Sequence, residues 1–409
     1  MSFLVCRNDN YEEFMKQISE IKFSKLSIIS LALFPLLPFF SVLVFAALLL
    51  YEQKTKPNTF YIFFFLLSLY LGLINATKVQ DNDLENYYAV FSEVKFYSFF
   101  DYILAIGKEP VFFALNYIIY YLTGGNTQWY IIIISILPYN FFFIAIYKFF
   151  QKVNNQNSII VFAIILAAFF PQLFSLSAQL IRQFLAASII MYVLVSKIFY
   201  GKTKWFYLLS AVFIHSTVLF FIPFIFINYF KKRFNLKTII PVIVLFFLFL
   251  ISFQKIAEYI ISKFGVSFLT YAITKAGNTT LFELQPLPAL AFILLGVMFI
   301  ISAYRIYGKP ILNDENLKRI LTHFVNIFII LSLFILATIN QKELSVRFFF
   351  YVYFFFPFII PLMFKKENKL SSLFQGAILM LFIAFFIYRL EYGTWQYAPL
   401  PELLLNPFF

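Results

Sequence analysis

The chain has 409 residues, 62% of them hydrophobic and 12% charged, against roughly 45–50% and about 25% in soluble domains. A soluble fold has no interior large enough to hide that much apolar surface, and the 62 Phe and 27 Tyr exclude disorder and collagen-like repeats. The net charge of +13 would suggest nucleic acid in a soluble protein. Here Lys and Arg form short clusters between apolar runs, the pattern of topology signals and anionic lipid contacts. Membrane lipids are the expected surroundings, and no nucleic-acid partner is expected.

The apolar runs do not alternate as β-barrel strands must, and several are long enough to cross about 30 Å of hydrocarbon as helices. The expected fold is all-α: a polytopic integral membrane protein with about 10–12 transmembrane or re-entrant helices. Residues 1–25 read as an N-terminal interfacial segment, because Tyr11, Phe14, Ile18 and Ile21 share one helical face with charges opposite. The N-terminus lacks the pattern of a cleaved signal peptide, so no leader is expected. A membrane domain over 26–389 follows, with apolar runs near 26–50, 59–76, 110–123, 129–150, 158–176, 179–199, 204–229, 237–253, 287–304, 320–341, 345–364 and 370–389. Two more polar stretches, 77–109 and 254–286, read as outer loops, and 390–409 as a C-terminal tail. Cys6 is the sole cysteine, which leaves no intrachain disulfide and no cysteine metal cage.

Basic clusters orient the runs, since Lys and Arg in short loops stay cytoplasmic. Lys197, Lys202 and Lys204 precede the run 204–229, and Lys231, Lys232 and Arg233 follow it. A single crossing would put these clusters on opposite sides. The same conflict separates Lys54 and Lys56 from Lys148 and Lys152, with three runs between them. Both conflicts vanish if 204–229 and 110–123 enter the membrane and return to the side they left. His215 and Ser216 mark a break midway along 204–229, and Gly124-Gly125 closes the short run 110–123. The alternative is that 204–229 spans normally against the charge rule. Under the re-entrant reading, 77–109, 254–286, the start of 179–199 and the 341–347 turn face outside.

Charges in hydrocarbon are costly, roughly 2.5–3.5 kcal/mol on insertion scales, so each one there invites a functional reading. Gln179, Arg182, Gln183 and Ala186 share one helical face. A guanidinium flanked by amides suits a diphosphate, because its fork donates parallel hydrogen bonds; the plainer reading is an interfacial anchor. Glu343, Arg347 and Tyr351 repeat at four-residue spacing, where Glu343 and Arg347 can also simply pair. His215 sits inside an apolar run beside a hydroxyl, either handling a proton or orienting a sugar, or buried with a backbone partner. Asp83, Glu85 and Tyr88 lie in an acidic, aromatic stretch suited to sugar hydroxyls and sugar faces, or to a solvated loop. That stretch begins like a calcium loop, but Asn86 and Ser92 stand where the turn glycine and the bidentate glutamate belong, so no metal is expected. Glu109 before Pro110 is placed to cap a helix or act as a general base. Phosphate-loop, H-E-x-x-H and G-x-S-x-G motifs are absent from the sequence, and no cofactor is expected.

Read in order, DLENYYAVF (83–91), EPVFFALNYII (109–119), IRQFLAASI (181–189), AVFIHSTVLFFIP (211–223) and VRFFFYVYFFFP (346–357) resemble the Wzy-type polymerases of bacterial surface polysaccharides, especially the EpsG-like branch. The approach to the acidic stretch, NATKVQDND, lacks that family's usual Arg and Gly. The resemblance implies a membrane glycosyltransferase, multi-pass in the bacterial inner (plasma) membrane, with its active site facing outward. It implies transfer of a glycan from polyprenyl diphosphate to the non-reducing-end hydroxyl of another lipid-linked repeat unit. Arg182 and Arg347 would stabilise the leaving diphosphate, and Glu109 or His215 would take the acceptor's proton. Asp83, Glu85, Tyr88, Gln179, Gln183 and Tyr351 would bind substrate. Donor and acceptor would both be polyprenyl-diphosphate-linked oligosaccharides, with a chain-length regulator as a further partner class. The rival readings are a flippase for lipid-linked oligosaccharide, whose basic residues should lie deep in several helices, and an O-antigen ligase, whose outer loop should carry His.

Overall fold

The computed structural model describes residues 25–51, 56–106, 109–231, 314–337, 342–363, 369–393 and 396–405, with isolated positions between 240 and 259. Among the described residues there is helix and no strand. This is the outcome lipid demands, because an α-helix satisfies its backbone polar groups within itself. Residues 1–24, the run 287–304, and most of the 254–286 loop and the run 237–253 lie outside the described residues.

The helices in chain order are α1 (Lys25–Leu33), α2 (Pro38–Tyr51), α3 (Pro57–Ala76), α4 (Asn82–Ser92), α5 (Phe99–Ile106), α6 (Pro110–Thr123), α7 (Thr127–Val153) and α8 (Asn157–Ala168). They continue as α9 (Pro171–Gln179), α10 (Ile181–Tyr200), α11 (Trp205–Ile214), α12 (Ile222–Phe226), α13 (Glu315–Ala337), α14 (Lys342–Ile359), α15 (Lys369–Tyr392) and α16 (Leu400–Leu405). Five of these are long and apolar enough to span a membrane: α3, α7, α10, α13 and α15. A sixth span forms if α8 and α9, bent by 52°, count as one. At 1.5 Å per residue the 27 residues of α7 cover about 40 Å. The chain is a multi-pass membrane protein.

Proline explains where the runs depart from single helices. The run 26–50 is two helices, because Pro35 and Pro38 interrupt the hydrogen-bond ladder and the chain turns between them. The run 158–176 breaks before Pro171 for the same reason. The stretch 77–109 is more ordered than a loop: it contains α4, a 3-10 turn over Glu93–Phe96, and α5. The C-terminal segment packs back on the bundle. The Val79 N–H donates to the Gln396 carbonyl at 2.9 Å, and the Tyr70 hydroxyl to the Leu403 carbonyl at 3.2 Å.

Small and polar residues fasten the central helices, as expected where apolar side chains gain little over lipid. A Cβ on Gly72 of α3 would stand 3.0 Å from the Ile132 carbonyl of α7, so the close crossing of these two spans needs glycine there. Asn75 donates to Ser135 (3.1 Å) and Ser177 (2.8 Å), and the Tyr139 hydroxyl bonds Ser177 (3.2 Å). One buried network thereby joins α3, α7 and α9.

Helix direction defines two ends. The Tyr200 hydroxyl donates to the Lys148 carbonyl (2.8 Å), so the C-termini of α7 and α10 lie together. Lys148 sits over the Tyr192 ring (5.0 Å) and Lys152 over the Tyr200 ring (5.1 Å), making this the basic end. The starts of α7 and α10 point to the other end, as does the start of α14, since Phe358 near its close packs on Phe149 at the basic end. The run 204–229 breaks at His215, which is extended (φ −157°, ψ 122°). Trp205 then stacks on Phe226, centroids 5.3 Å apart and planes 20° apart. The two ends of this run therefore lie side by side, and the segment is a hairpin with its tip at His215–Thr217. This is the shape the charge argument requires, with Lys204 and Lys231 at the same end.

Candidate functional site

The end opposite the basic clusters gathers charged side chains from helices distant in sequence. Arg182 is the second residue of α10, where the chain has just turned at Leu180 after α9. Its Nη1 forms an ion pair with Glu109, the residue before α6. Its Nε donates to the Tyr87 hydroxyl at 3.2 Å, and the guanidinium carbon lies 5.5 Å from the Tyr87 ring centroid. A cation over a tyrosine face adds attraction of order 0.5–2 kcal/mol, more as water is excluded. The arginine side chain keeps 35% of its surface exposed and the glutamate 18%, so the pair is sheltered but reachable.

Glu109 is the one non-glycine with positive φ among the described residues (φ 55°, ψ 55°). A left-handed conformation costs a non-glycine residue of order 1–3 kcal/mol and persists where surroundings enforce it. The ion pair to Arg182 on one side and the rigid Pro110 start of α6 on the other supply that constraint.

Arg347 opens the inner part of α14, and its carbonyl accepts from the Gln183 amide at 2.6 Å. Gln183 is thus the link between the Arg182 and Arg347 helices, and its own Oε1 is buried without a partner among the described residues. One turn further along α14, the Tyr351 hydroxyl meets the Thr217 hydroxyl at 2.6 Å, and Thr217 meets His215 Nδ1 at 2.7 Å. The tip of the 205–226 hairpin is therefore pinned to α14. His215 lies within Coulombic reach of both Arg347 and Arg182, and Tyr351 within reach of Glu109, so the two halves form one cluster.

The other expected residues lie outside this hydrogen-bonded cluster, with Asp83 within Coulombic reach of Tyr87. Gln179 does not face the arginine; its amide donates to Asp81 Oδ1 at 3.2 Å, the oxygen that also pairs with Lys78. Asp83 and Glu85 lie in the first turn of α4, exposed, where the helix dipole favours acids. Tyr88 is buried against the Tyr130 ring, centroids 6.4 Å apart, and Tyr87 takes the place at the arginine. The physical reason is that 82–92 is a helix: Leu84, Tyr87, Tyr88 and Phe91 form its inner stripe, and Tyr87 is the one whose hydroxyl meets Arg182 of α10. Glu343 lies in α14, its side chain outside the described residues. His323, not an expected site residue, donates from Nε2 to the Phe224 carbonyl at 2.9 Å.

Sequence reasoning misses the buried Lys78; Tyr87 and Thr217 lie inside the 83–91 and 211–223 stretches, but neither is among the expected site residues. Helical phase would have found Tyr87, and the i,i+3 spacing of Lys78 and Asp81 would have found that pair. Burial pushes the Tyr87 phenol up, with the Arg182 guanidinium pulling the other way, so it is a neutral hydroxyl at ordinary pH. Among the described residues no group of three or more His, Cys, Asp or Glu could hold a metal ion.

The site is cationic and half-open, lies at one end of a helical bundle, and sets guanidinium donors beside tyrosine hydroxyls and a carboxylate. No curated protein and no solved structure matches this chain at a significant level. The EpsG family model matches residues 58–399, a span that contains every residue of the cluster just described, and the chain belongs to the EpsG family, a family of Wzy-like polymerase-related membrane proteins.

Proposed function

We propose that this protein polymerises lipid-linked oligosaccharide repeat units, transferring a glycan chain from polyprenyl diphosphate to a sugar hydroxyl on another lipid-linked repeat. Membership of the EpsG family supports the coarser statement, a glycosyl-polymerase-like role in polysaccharide synthesis. The observation that carries the finer reading is the Arg182–Glu109 pair held against Tyr87, with Arg347 one glutamine away.

In this reading the acceptor hydroxyl oxygen attacks the anomeric carbon of the donor sugar. The bond from that carbon to the diphosphate oxygen breaks, and its electron pair leaves with polyprenyl diphosphate. Arg182 and Arg347 neutralise the charge that gathers there, an effect largest where water is scarce. A diphosphate that engages Arg182 competes with Glu109 for the guanidinium, and the released carboxylate takes the acceptor's proton. The reaction faces outward at the inner membrane, with the prenyl chains lying between helices. The sugar units carry their own activation, so no nucleotide enters.

The test is polymer length in cells carrying Arg182→Ala or Arg347→Ala, with membrane abundance checked. Short or single-repeat product at normal abundance supports the reading; normal polymer in both variants removes it. A flippase defect would instead abolish surface repeats altogether, which separates that rival.

A further inference from the structure

The hairpin tip carries a hydrogen-bond chain whose direction follows from its geometry. The backbone N–H of Thr217 donates to His215 Nδ1 at 3.4 Å, and the Thr217 hydroxyl meets the same nitrogen at 2.7 Å. An N–H donates only to a ring nitrogen that has no proton. Nδ1 is therefore the acceptor, and the threonine hydroxyl donates to it. That hydroxyl has a single proton, now used, so at its 2.6 Å contact with Tyr351 the tyrosine must donate. The protons run one way: Tyr351 to Thr217 to His215. An imidazole with a bare Nδ1 is neutral and carries its proton on Nε2.

The surroundings hold this arrangement. Tyr351 is fully buried, with Phe221 at 4.9 Å and Phe348 at 6.0 Å between centroids, so its hydroxyl cannot swing away. The break that frees the tip has His215 extended and the following 3-10 turn beginning at Ser216, which places the Thr217 amide under the ring. The charged groups around the tip come from three elements: Arg182 of α10, Arg347 of α14 and Glu109 before α6. No other described residue bonds the His215 ring.

We infer that His215 acts as a fixed neutral donor, its Nε2–H bonding an anionic oxygen of the diphosphate held by the two arginines, with Thr217 and Tyr351 as positioning residues. This rests on the polymerase reading of the site. A ring whose Nδ1 is already filled and whose Nε2 is protonated has no lone pair to offer an acceptor hydroxyl, so the base is the Glu109 carboxylate. A neutral donor adds one more preorganised hydrogen bond to the leaving group.

Glutamine places an amide N–H where Nε2–H stood, whereas asparagine places it near Nδ1. His215→Gln should therefore keep polymer formation within about tenfold of wild type, while His215→Asn and His215→Ala lose about 10²–10³-fold, the usual effect of one such donor. The acid limb of the rate–pH profile should be the same in wild type and His215→Gln. Each variant is first checked for monodisperse elution in detergent. A glutamine variant as inactive as the alanine one, with that acid limb lost, would make His215 the base and overturn the donor role. Nitrogen NMR on protein labelled at its two histidines gives a readout free of activity, with His323→Gln assigning the signals. The expected spectrum has a protonated ε2 and a bare δ1 nitrogen at His215, disturbed in Thr217→Val and Tyr351→Phe. A protonated δ1 overturns the inference and leaves the polymerase reading standing. Wild-type protein that shows the expected spectrum but builds no polymer overturns the polymerase reading instead, and with it the donor's substrate.

Discussion

Two cation–carboxylate pairs stand at the same end of the bundle and differ in almost every respect. Lys78 and Asp81 are three residues apart, with the lysine side chain fully buried. Arg182 and Glu109 are 73 residues apart, and both keep some exposure. The local pair anchors structure: Asp81 also accepts from Gln179, and the adjoining Val79 holds the C-terminal segment. The distant pair is open and carries a tyrosine on its flank. A fully buried cation cannot exchange its carboxylate for a ligand, because separating the two leaves the charge unsolvated. A sheltered but reachable pair can.

The comparison is most directly broken at the open pair. Arg182→Ala should cut polymer formation by about 10²–10³-fold, the cost of losing one preorganised donor group, with little change in abundance; normal chain length would erase the distinction. At the pair with the buried lysine the effect should move to stability. Lys78→Met should lower it by about 2–3 kcal/mol, less than the about 3–5 of a fully buried pair because Asp81 keeps 30% of its side chain exposed. Thermal unfolding in detergent reads this, and adding Asp81→Asn should recover part of the loss. A Lys78→Met protein that is stable but inactive would place Lys78 in the chemistry.

Smaller effects sharpen the same contrast. Tyr87→Phe keeps the ring face and removes the hydroxyl that accepts from Arg182, so it should cost about 0.5–1.5 kcal/mol, a several-fold drop in polymerisation. Tyr88→Phe serves as its control. Its ring packs on Tyr130, and the change should leave rates unaltered. Asp83→Asn and Glu85→Gln, exposed in the first turn of α4, should shift stability by no more than about 0.5 kcal/mol in the same melts. A strong loss of polymer without loss of stability in either would return them to sugar binding.

Some of this was legible residue by residue. The conflict between the basic clusters around 204–229 leaves a segment that turns back as one of two readings, and Trp205 lies on Phe226 as that reading has it. Arg182, Glu109 and Arg347 stand out at the starts of apolar runs and His215 and Tyr351 as polar groups inside them, and they lie in one cluster. The 77–109 stretch reads as an outer loop, and its charges mask the helical stripe of Leu84, Tyr87, Tyr88 and Phe91 within it. Gln179 was assigned to the arginine's face from spacing, but the turn at Leu180 ends α9 and re-aims that side chain at Asp81.

Composition alone was enough to make this a helical membrane protein, since 62% apolar residues have nowhere else to go and lipid tolerates no unpaired backbone in unbroken spans. Charge placement raised a hairpin at 204–229 beside a normal span, and only the packed structure decides between them. Which side chains meet was a different matter. Arg182 finds Tyr87 across 95 residues and Thr217 finds Tyr351 across 134. No periodicity reports such encounters, because they depend on how proline breaks, a glycine crossing and a buried amide network set the helices against one another. The direction of the proton chain at His215, and with it the division of labour between histidine and glutamate, exists only once those helices are packed.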